Sequence, residues 1–165
     1  MLEKLAESTA ELLRAAGLPA YRAFPREAVE RGGAVIAVGI RRASGRSAGF
    51  TRYLGVEPDA ERGGREVYGL RCDVELALDI YAPMSAENGA AECGRLFDAA
   101  AAALGAAAGL SVRELRCGEA APDARLGMFV LCGAADCAAL LVDESGGDGD
   151  GKTFTDFVLK GELKR

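Results

Sequence analysis

The segment Gly146–Thr153, with the sequence GGDGDGKT, is the first candidate for chemistry because it fits the phosphate-loop pattern G-x-x-x-x-G-K-[ST]. A working phosphate loop needs a helix directly after its lysine, so that the N-terminal amides of that helix face the phosphates. Here Thr153–Leu163 alternates apolar and polar residues, which is typical of a strand. Asp148 and Asp150 would also repel a triphosphate. The sequence therefore predicts a flexible glycine-rich hairpin loop near residues 145–151, with nucleotide binding as the less favoured alternative.

The same glycine-rich segment and the cysteines are the candidate metal ligands. An EF-hand loop that begins at Asp148 would need a carboxylate where Leu159 stands. The five cysteines include no CxxC pair, so neither a zinc site nor a disulfide framework is indicated, and we expect small buried thiols. The cysteines are Cys72, Cys93, Cys117, Cys132 and Cys137. We predict no metal site and no cofactor site.

The chain contains no histidine, which removes Ser-His-Asp and Cys-His catalysis and every imidazole acid or base. The remaining candidates are carboxylates, and Asp73, Glu75 and Asp79 share one face of a predicted strand. Two carboxylates can act as acid and base when burial separates their pKa values. The alternation of the strand predicts that this face is the solvated one, so we predict no catalytic residue and no enzyme.

A basic cluster stands apart from these groups. Arg41, Arg42, Arg46 and Arg52 lie in a segment of twelve residues, 41–52, that contains no acidic residue. Its glycine and serine content predicts a hairpin tip or mobile loop, and the arginines are our candidate partner interface. The alternative is an ordinary solvated loop. The net charge of the chain is −5, which disfavours nucleic acid as a partner overall.

The periodicities predict one α+β domain over residues 1–165, with a mostly antiparallel sheet packed against an N-terminal helix and one long central helix. The central helix is predicted at 87–108, with Ser85 as its cap. The segment Ala135–Val142 is compatible with a strand or with a helix. The other predicted elements are a helix at 2–16, an extended piece at 21–24, a final strand at 153–163, and strands at 34–40, 50–54, 67–82, 111–117, 125–132 and 135–142.

The N-terminal sequence lacks the pattern of an export signal, and no apolar run is long enough to cross a bilayer. We therefore expect a cytoplasmic protein with no membrane partner, which leaves the cell only as part of a larger particle.

Several short segments resemble a known family when they are taken in order. They are AAGLPAYRAFP at 15–25, AVIAVGI at 34–40, YLG at 53–55, YGLRCDVELALDIYAP at 68–83 and FTDFVLKGEL at 154–163. Together they resemble the tail terminator (tail completion or collar) proteins of phages, prophages and contractile phage-tail-like bacteriocins.

The resemblance implies an α+β subunit that forms a ring, typically a hexamer, which caps the tail tube and holds the end of the sheath. Such a subunit has itself, the tube protein and the sheath protein as partners, and no small-molecule substrate. The resemblance transfers no motif to individual residues. A baseplate or connector component, or a small ligand-binding domain, remains the alternative interpretation.

Overall fold

In a computed structural model, the chain is described at residues 2–24, 33–47, 52–57, 64–85, 88–107, 109–143 and 157–160. This part of the chain contains two helices, α1 (Leu2–Ala15) and α2 (Gly89–Gly105). Its eight strands are β1 (Ala20–Tyr21), β2 (Val35–Ser47), β3 (Tyr53–Glu57), β4 (Arg65–Pro83), β5 (Leu110–Cys117), β6 (Ala121–Asp123), β7 (Met128–Asp143) and β8 (Phe157–Lys160).

The sheet is built around the two longest neighbours, β4 and β7, which pair antiparallel from Gly69 opposite Val142 to Pro83 opposite Met128. β2 pairs antiparallel with the other side of β4, and the short β1 lies parallel to the start of β2. β3 pairs with the beginning of β4. The free side of β7 is covered in succession by β6, β5 and β8, all antiparallel to it. The predicted α+β class with a mostly antiparallel sheet and two helices is confirmed.

Both helices cover one face of the sheet, which we call the inner face. Leu5 and Leu13 of α1, and Phe97 and Leu104 of α2, are buried in a single core with the inner-face residues of the strands. The only buried polar side chain of the described core is satisfied locally, because the Thr9 hydroxyl donates a hydrogen bond to the carbonyl of Leu5 at 2.8 Å. The apolar stripes of both predicted helices are therefore the surfaces that build the core.

Close packing of α2 against β7 depends on a glycine. A Cβ atom on Gly133 would lie 2.7 Å from the ring of Phe97 and 2.8 Å from the carbonyl oxygen of Leu78. No side chain fits at those distances, so Gly133 lets the aromatic ring rest directly on the strand.

The structure corrects the prediction that residues 41–52 form a loop. Residues 41–47 continue β2, and Arg46 and Ser47 pair with Arg71 and Leu70 of β4. The polar composition that suggested a loop belongs to a strand whose ionic partners are supplied by β4. Arg52 lies outside β2 and has a positive φ of 66°, at the entry to β3.

Three smaller predictions also change. Residues 128–132 and 135–142 belong to one strand, β7, whereas residues 125–127 of the predicted strand lie in the turn before it, and the helical alternative for Ala135–Val142 is wrong. Neighbouring strands on both sides bury its alanines, and these tertiary contacts outweigh helix propensity. The N-cap of α2 is Asn88 rather than Ser85, and Asn88 makes no side-chain capping hydrogen bond.

The prediction of a C-terminal strand is confirmed where the structure describes it. Phe157–Lys160 pairs antiparallel with residues 140–143 of β7. The glycine-rich segment 145–151 lies outside the described residues.

Candidate functional site

The face of the sheet opposite the helices, which we call the outer face, carries the charged residues. Along β4 the inner residues Leu76, Leu78 and Ile80 are fully buried, whereas Glu75 and Asp79 between them keep 20% and 29% of their side chains exposed. This is the alternation that the sequence predicted for the central strand. The outer face is therefore the polar surface that the fold offers for contacts or chemistry.

Two bulges increase the number of arginines on this face. The pairing of β2 with β4 shifts between Ile40 and Arg42, so Arg41 is an extra residue in β2. The pairing of β5 with β7 shifts in the same way between Val112 and Glu114, which makes Arg113 an extra residue in β5. A bulge breaks the strict alternation of side chains. Arg41 and Arg42, although adjacent in sequence, therefore both reach carboxylates of β4.

The arginines of β2 pair with the carboxylates of β4. The closest nitrogen–oxygen distance is 2.9 Å between Arg41 and Asp79, and it is 4.0 Å between Arg42 and Glu75. Arg46 donates a hydrogen bond to Oδ2 of Asp73. The interface candidates Arg41, Arg42 and Arg46 are thus brought together in one row along β2.

The arginines of β5 reach the same carboxylates from the other side. Arg113 lies 2.8 Å from Oδ1 of Asp73. Arg116 lies 3.4 Å from Glu75 and 2.9 Å from Asp136 of β7. We call this set the arginine–carboxylate ladder. Its members are Arg41, Arg42, Arg46, Asp73, Glu75, Asp79, Arg113, Glu114, Arg116 and Asp136.

Asp73 is paired with two arginines, Arg46 and Arg113. The hydrogen bond from Arg46 holds the pKa of the Asp73 carboxyl below its ordinary value of 3.8, and the charge of Arg113 acts in the same direction. Partial burial opposes this shift. Asp73 is therefore an ionised partner for two arginines.

The three candidate acid and base groups are all members of ion pairs. Asp73, Glu75 and Asp79, the candidate acid and base groups, each have at least one arginine within 4.0 Å. Paired charges of this kind are partly exposed and individually weak, but they bring long side chains of three strands together on one face. Arg52 lies outside the ladder, and its backbone N–H donates a hydrogen bond to the Ser47 hydroxyl at 3.1 Å.

Sequence reasoning missed Arg113, Arg116 and Asp136 as members of the site. Arg113 and Arg116 lie in the predicted strand 111–117 and Asp136 in the predicted strand 135–142, but nothing in the sequence places the first of these strands two positions from β4. The bulge at Arg113 is likewise a property of pairing and not of local composition.

The cysteines divide into two groups. Cys72, Cys93 and Cys137 are buried as predicted, and burial raises the pKa of the Cys137 thiol to about 11. Cys117 and Cys132 are exposed, so the prediction of buried thiols is wrong for these two. Cys117 is the last residue of β5, and Cys132 lies within β7 opposite Asp79 of β4. Within the described ranges no group of three metal-ligating side chains comes together.

An open cavity of about 640 Å³ lies beside β6, and its walls include Asp123, Arg125, Val130 and Cys132. Oδ1 of Asp123 accepts hydrogen bonds from the backbone N–H groups of Arg125 and Leu126. This carboxylate therefore stabilises the β6–β7 turn.

Comparison of the chain with protein-family models, with curated proteins and with solved structures found no match. No helix in the described part of the chain has the length and apolar character needed to cross a membrane.

Proposed function

We propose that this protein is a structural subunit of a phage tail or phage-tail-like particle, which forms a ring at the end of the tail tube and terminates its growth. The proposal joins the resemblance of the sequence segments to the tail terminator family with the α+β fold. The observation that carries it is the outer face, where arginines of β2 and β5 are paired with carboxylates of β4 and β7.

A surface of paired charges of this kind suits contact with other protein subunits. Protein interfaces need fixed side chains and complementary charge, and the ladder supplies both without any reacting group. The proposed partners are further copies of this chain, the tube protein and, in a contractile particle, the sheath protein. The chain would remain in the cytoplasm until it is assembled into a particle.

The proposal is tested by electron microscopy of particles from producing cells that lack this protein. We expect tubes of uncontrolled length, because no ring stops their polymerisation, and normal lengths when the protein is supplied from a plasmid. Tubes of normal length that lack plates or fibres would contradict the terminator role and favour a baseplate or connector component.

A nucleotide-binding function receives no support from the described residues. The strand β8 pairs with β7 shortly after Lys152 in the sequence, whereas a phosphate loop leads directly into a helix. Calorimetric titration with magnesium and ATP is expected to show no heat of binding for the wild-type protein or for Lys152→Ala. Binding that the Lys152→Ala substitution abolishes would overturn this assignment.

A further inference from the structure

β2 and β5 stand at the two edges of the sheet formed by the described residues, and within that part of the chain each has one side unpaired over most of its length. Among the described residues, the outer side of β2 pairs with β1 only at Ile36 and Ala37, although β2 continues to Ser47. β5 pairs with β7 on one side, and most of its residues are exposed. Unpaired backbone N–H and C=O groups on a strand edge readily accept another strand.

Two of the three arginines of β2 are directed across the sheet instead of past its edge. Edge strands are commonly guarded by charged residues that project past the backbone. Here Arg41 and Arg46 instead turn inward across the sheet to Asp79 and Asp73 of β4. These two side chains are therefore occupied by β4, and Arg42 is the arginine of β2 with the largest exposed fraction.

One row of the ladder ends in opposite charges at the two edges. The register places Arg42 of β2 opposite Glu75, Glu75 opposite Asp136, and Asp136 opposite Glu114 of β5. Arg42 and Glu114 are also the loosest members of the ladder. Their side chains are 81% and 58% exposed, and their nearest charged partners lie 4.0 and 3.9 Å away.

The strand directions allow this row to continue from one molecule to the next. β2 is antiparallel to β4, β4 to β7, and β7 to β5, so β2 and β5 run in opposite directions. Placing β5 of one copy beside β2 of another therefore extends the antiparallel sheet without reversing any strand.

We propose that the β5 edge of one copy pairs antiparallel with the β2 edge of a second copy, with Glu114 of the first beside Arg42 of the second. Such a head-to-tail contact uses two different surfaces, and it generates a ring when its rotation closes. The inference rests on the proposed function for that closure, since a tail terminator has to be a ring.

The contact is tested by charge reversal with mass measured by size-exclusion chromatography and light scattering. We expect the wild-type chain to form a discrete multimer, and Arg42→Glu and Glu114→Arg to dissociate toward the 17.1 kDa monomer. Each substitution places like charges across the contact, and we expect the dissociation constant to rise by roughly tenfold or more. Arg95→Glu, which changes an exposed arginine paired with Glu92 on α2, is the matched control and should keep the wild-type mass.

Mixing the two variants shows whether the contact lies between copies. Each variant repels itself, because positions 42 and 114 then carry charges of the same sign. Between the two variants, position 42 of either one is opposite in charge to position 114 of the other. An equimolar mixture of Arg42→Glu and Glu114→Arg should therefore regain the multimer.

Circular dichroism of each variant confirms that the single substitutions leave the fold intact. If either variant unfolds, Arg42→Ser and Glu114→Gln take their places and are expected to weaken the multimer less.

The results that would overturn this contact differ from the result that would overturn the proposed function. A wild-type multimer that both reversals leave unchanged, or that the mixture does not restore, would overturn this contact and leave the terminator role standing. A protein that stays monomeric at every concentration would overturn the contact as well. Tube length in particles without the protein tests the terminator role independently of either result.

Discussion

The inner and outer faces of β4 make two different kinds of interaction. On the inner face Leu76, Leu78 and Ile80 are fully buried against the helices, and their stabilisation comes from removing apolar surface from water. On the outer face Glu75 and Asp79 are held by arginines of two other strands and stay partly exposed. The inner face determines the stability of the fold, whereas the outer face determines which charges are displayed together.

This difference has a physical origin in the range of the interactions. Burial of a leucine is favourable wherever an apolar neighbour covers it, so many arrangements satisfy the inner face. An ion pair needs its partner within about 4 Å, so the outer face depends on register and on the two bulges. The effects of substitutions on the unfolding free energy should therefore differ in size between the two faces. They should also differ in how they depend on salt and pH.

The largest effect is expected from Leu78→Ala on the inner face. The side chain is fully buried in the core, and its truncation removes apolar contacts and leaves a cavity. We expect a loss of about 2–5 kcal/mol in the free energy of unfolding, measured by urea denaturation. Leu115→Ala is the control, because Leu115 is 37% exposed and should cost clearly less. Equal losses for the two leucines would show that burial does not govern this face.

A second large effect is expected from Gly133→Ala, which tests the close approach of α2 to the sheet. The new methyl group would meet the Phe97 ring at 2.7 Å and the Leu78 carbonyl at 2.8 Å, and the backbone oxygen cannot move aside alone. We expect a destabilisation of about 1–3 kcal/mol, seen as a lower Tm. Gly118→Ala is the matched control, since its methyl group would have its nearest neighbour at 3.9 Å. A Gly133→Ala protein as stable as Gly118→Ala would contradict the packing described for this helix.

The contrast between the inner and outer faces also explains how much of the molecule could be predicted from the sequence. The alternation from Val67 to Ala82 and the apolar stripes of the helices gave the central strand, both helices and the α+β class, because those signals are local and periodic. The extension of β2 through Arg46 could not be predicted, since a run rich in glycine, serine and arginine becomes a strand only when β4 supplies its partners. The candidate site was found in part: Arg41, Arg42 and Arg46 were identified, and Asp73, Glu75 and Asp79 were identified as a carboxylate face, but the pairing of the two sets was not predicted. Whether these arginines contact a partner stays a prediction.

A smaller effect is expected from removing one ion pair of the ladder. Asp79→Ala removes the partner of Arg41, but both side chains are partly exposed, so the expected cost is only about 0–1 kcal/mol in unfolding free energy. The double-mutant cycle with Arg41→Gln isolates the pair and should give a coupling of about 0.2–1 kcal/mol that falls in high salt. A coupling that salt does not change would mean that the pair is more deeply buried than its 40% and 29% exposure indicates.

The smallest and most conditional effect is expected from Asp73→Asn, which tests the pH dependence of the outer face. The hydrogen bond from Arg46 lowers the pKa of Asp73 in the folded protein below its ordinary 3.8. A carboxyl with a depressed folded pKa contributes stability that is fully present above the unfolded pKa and is lost as the pH falls through the folded pKa. The wild-type protein should therefore be more stable than Asp73→Asn at neutral pH, and this advantage should shrink as the pH falls below about 4.

Urea denaturation of the wild-type protein and of Asp73→Asn from neutral pH to below about 4 measures the difference in their unfolding free energies. Arg46→Gln supplies the control, because it removes the largest cause of the shift while Arg113 remains beside Asp73. In that background the pH dependence of the Asp73→Asn difference should be weaker but still present. If the difference in unfolding free energy between the wild-type protein and Asp73→Asn is the same at neutral and acidic pH, the ladder places no net positive potential on Asp73. The outer face would then differ from the inner face only in polarity, and the convergence of β2 and β5 on this carboxylate would have no electrostatic consequence.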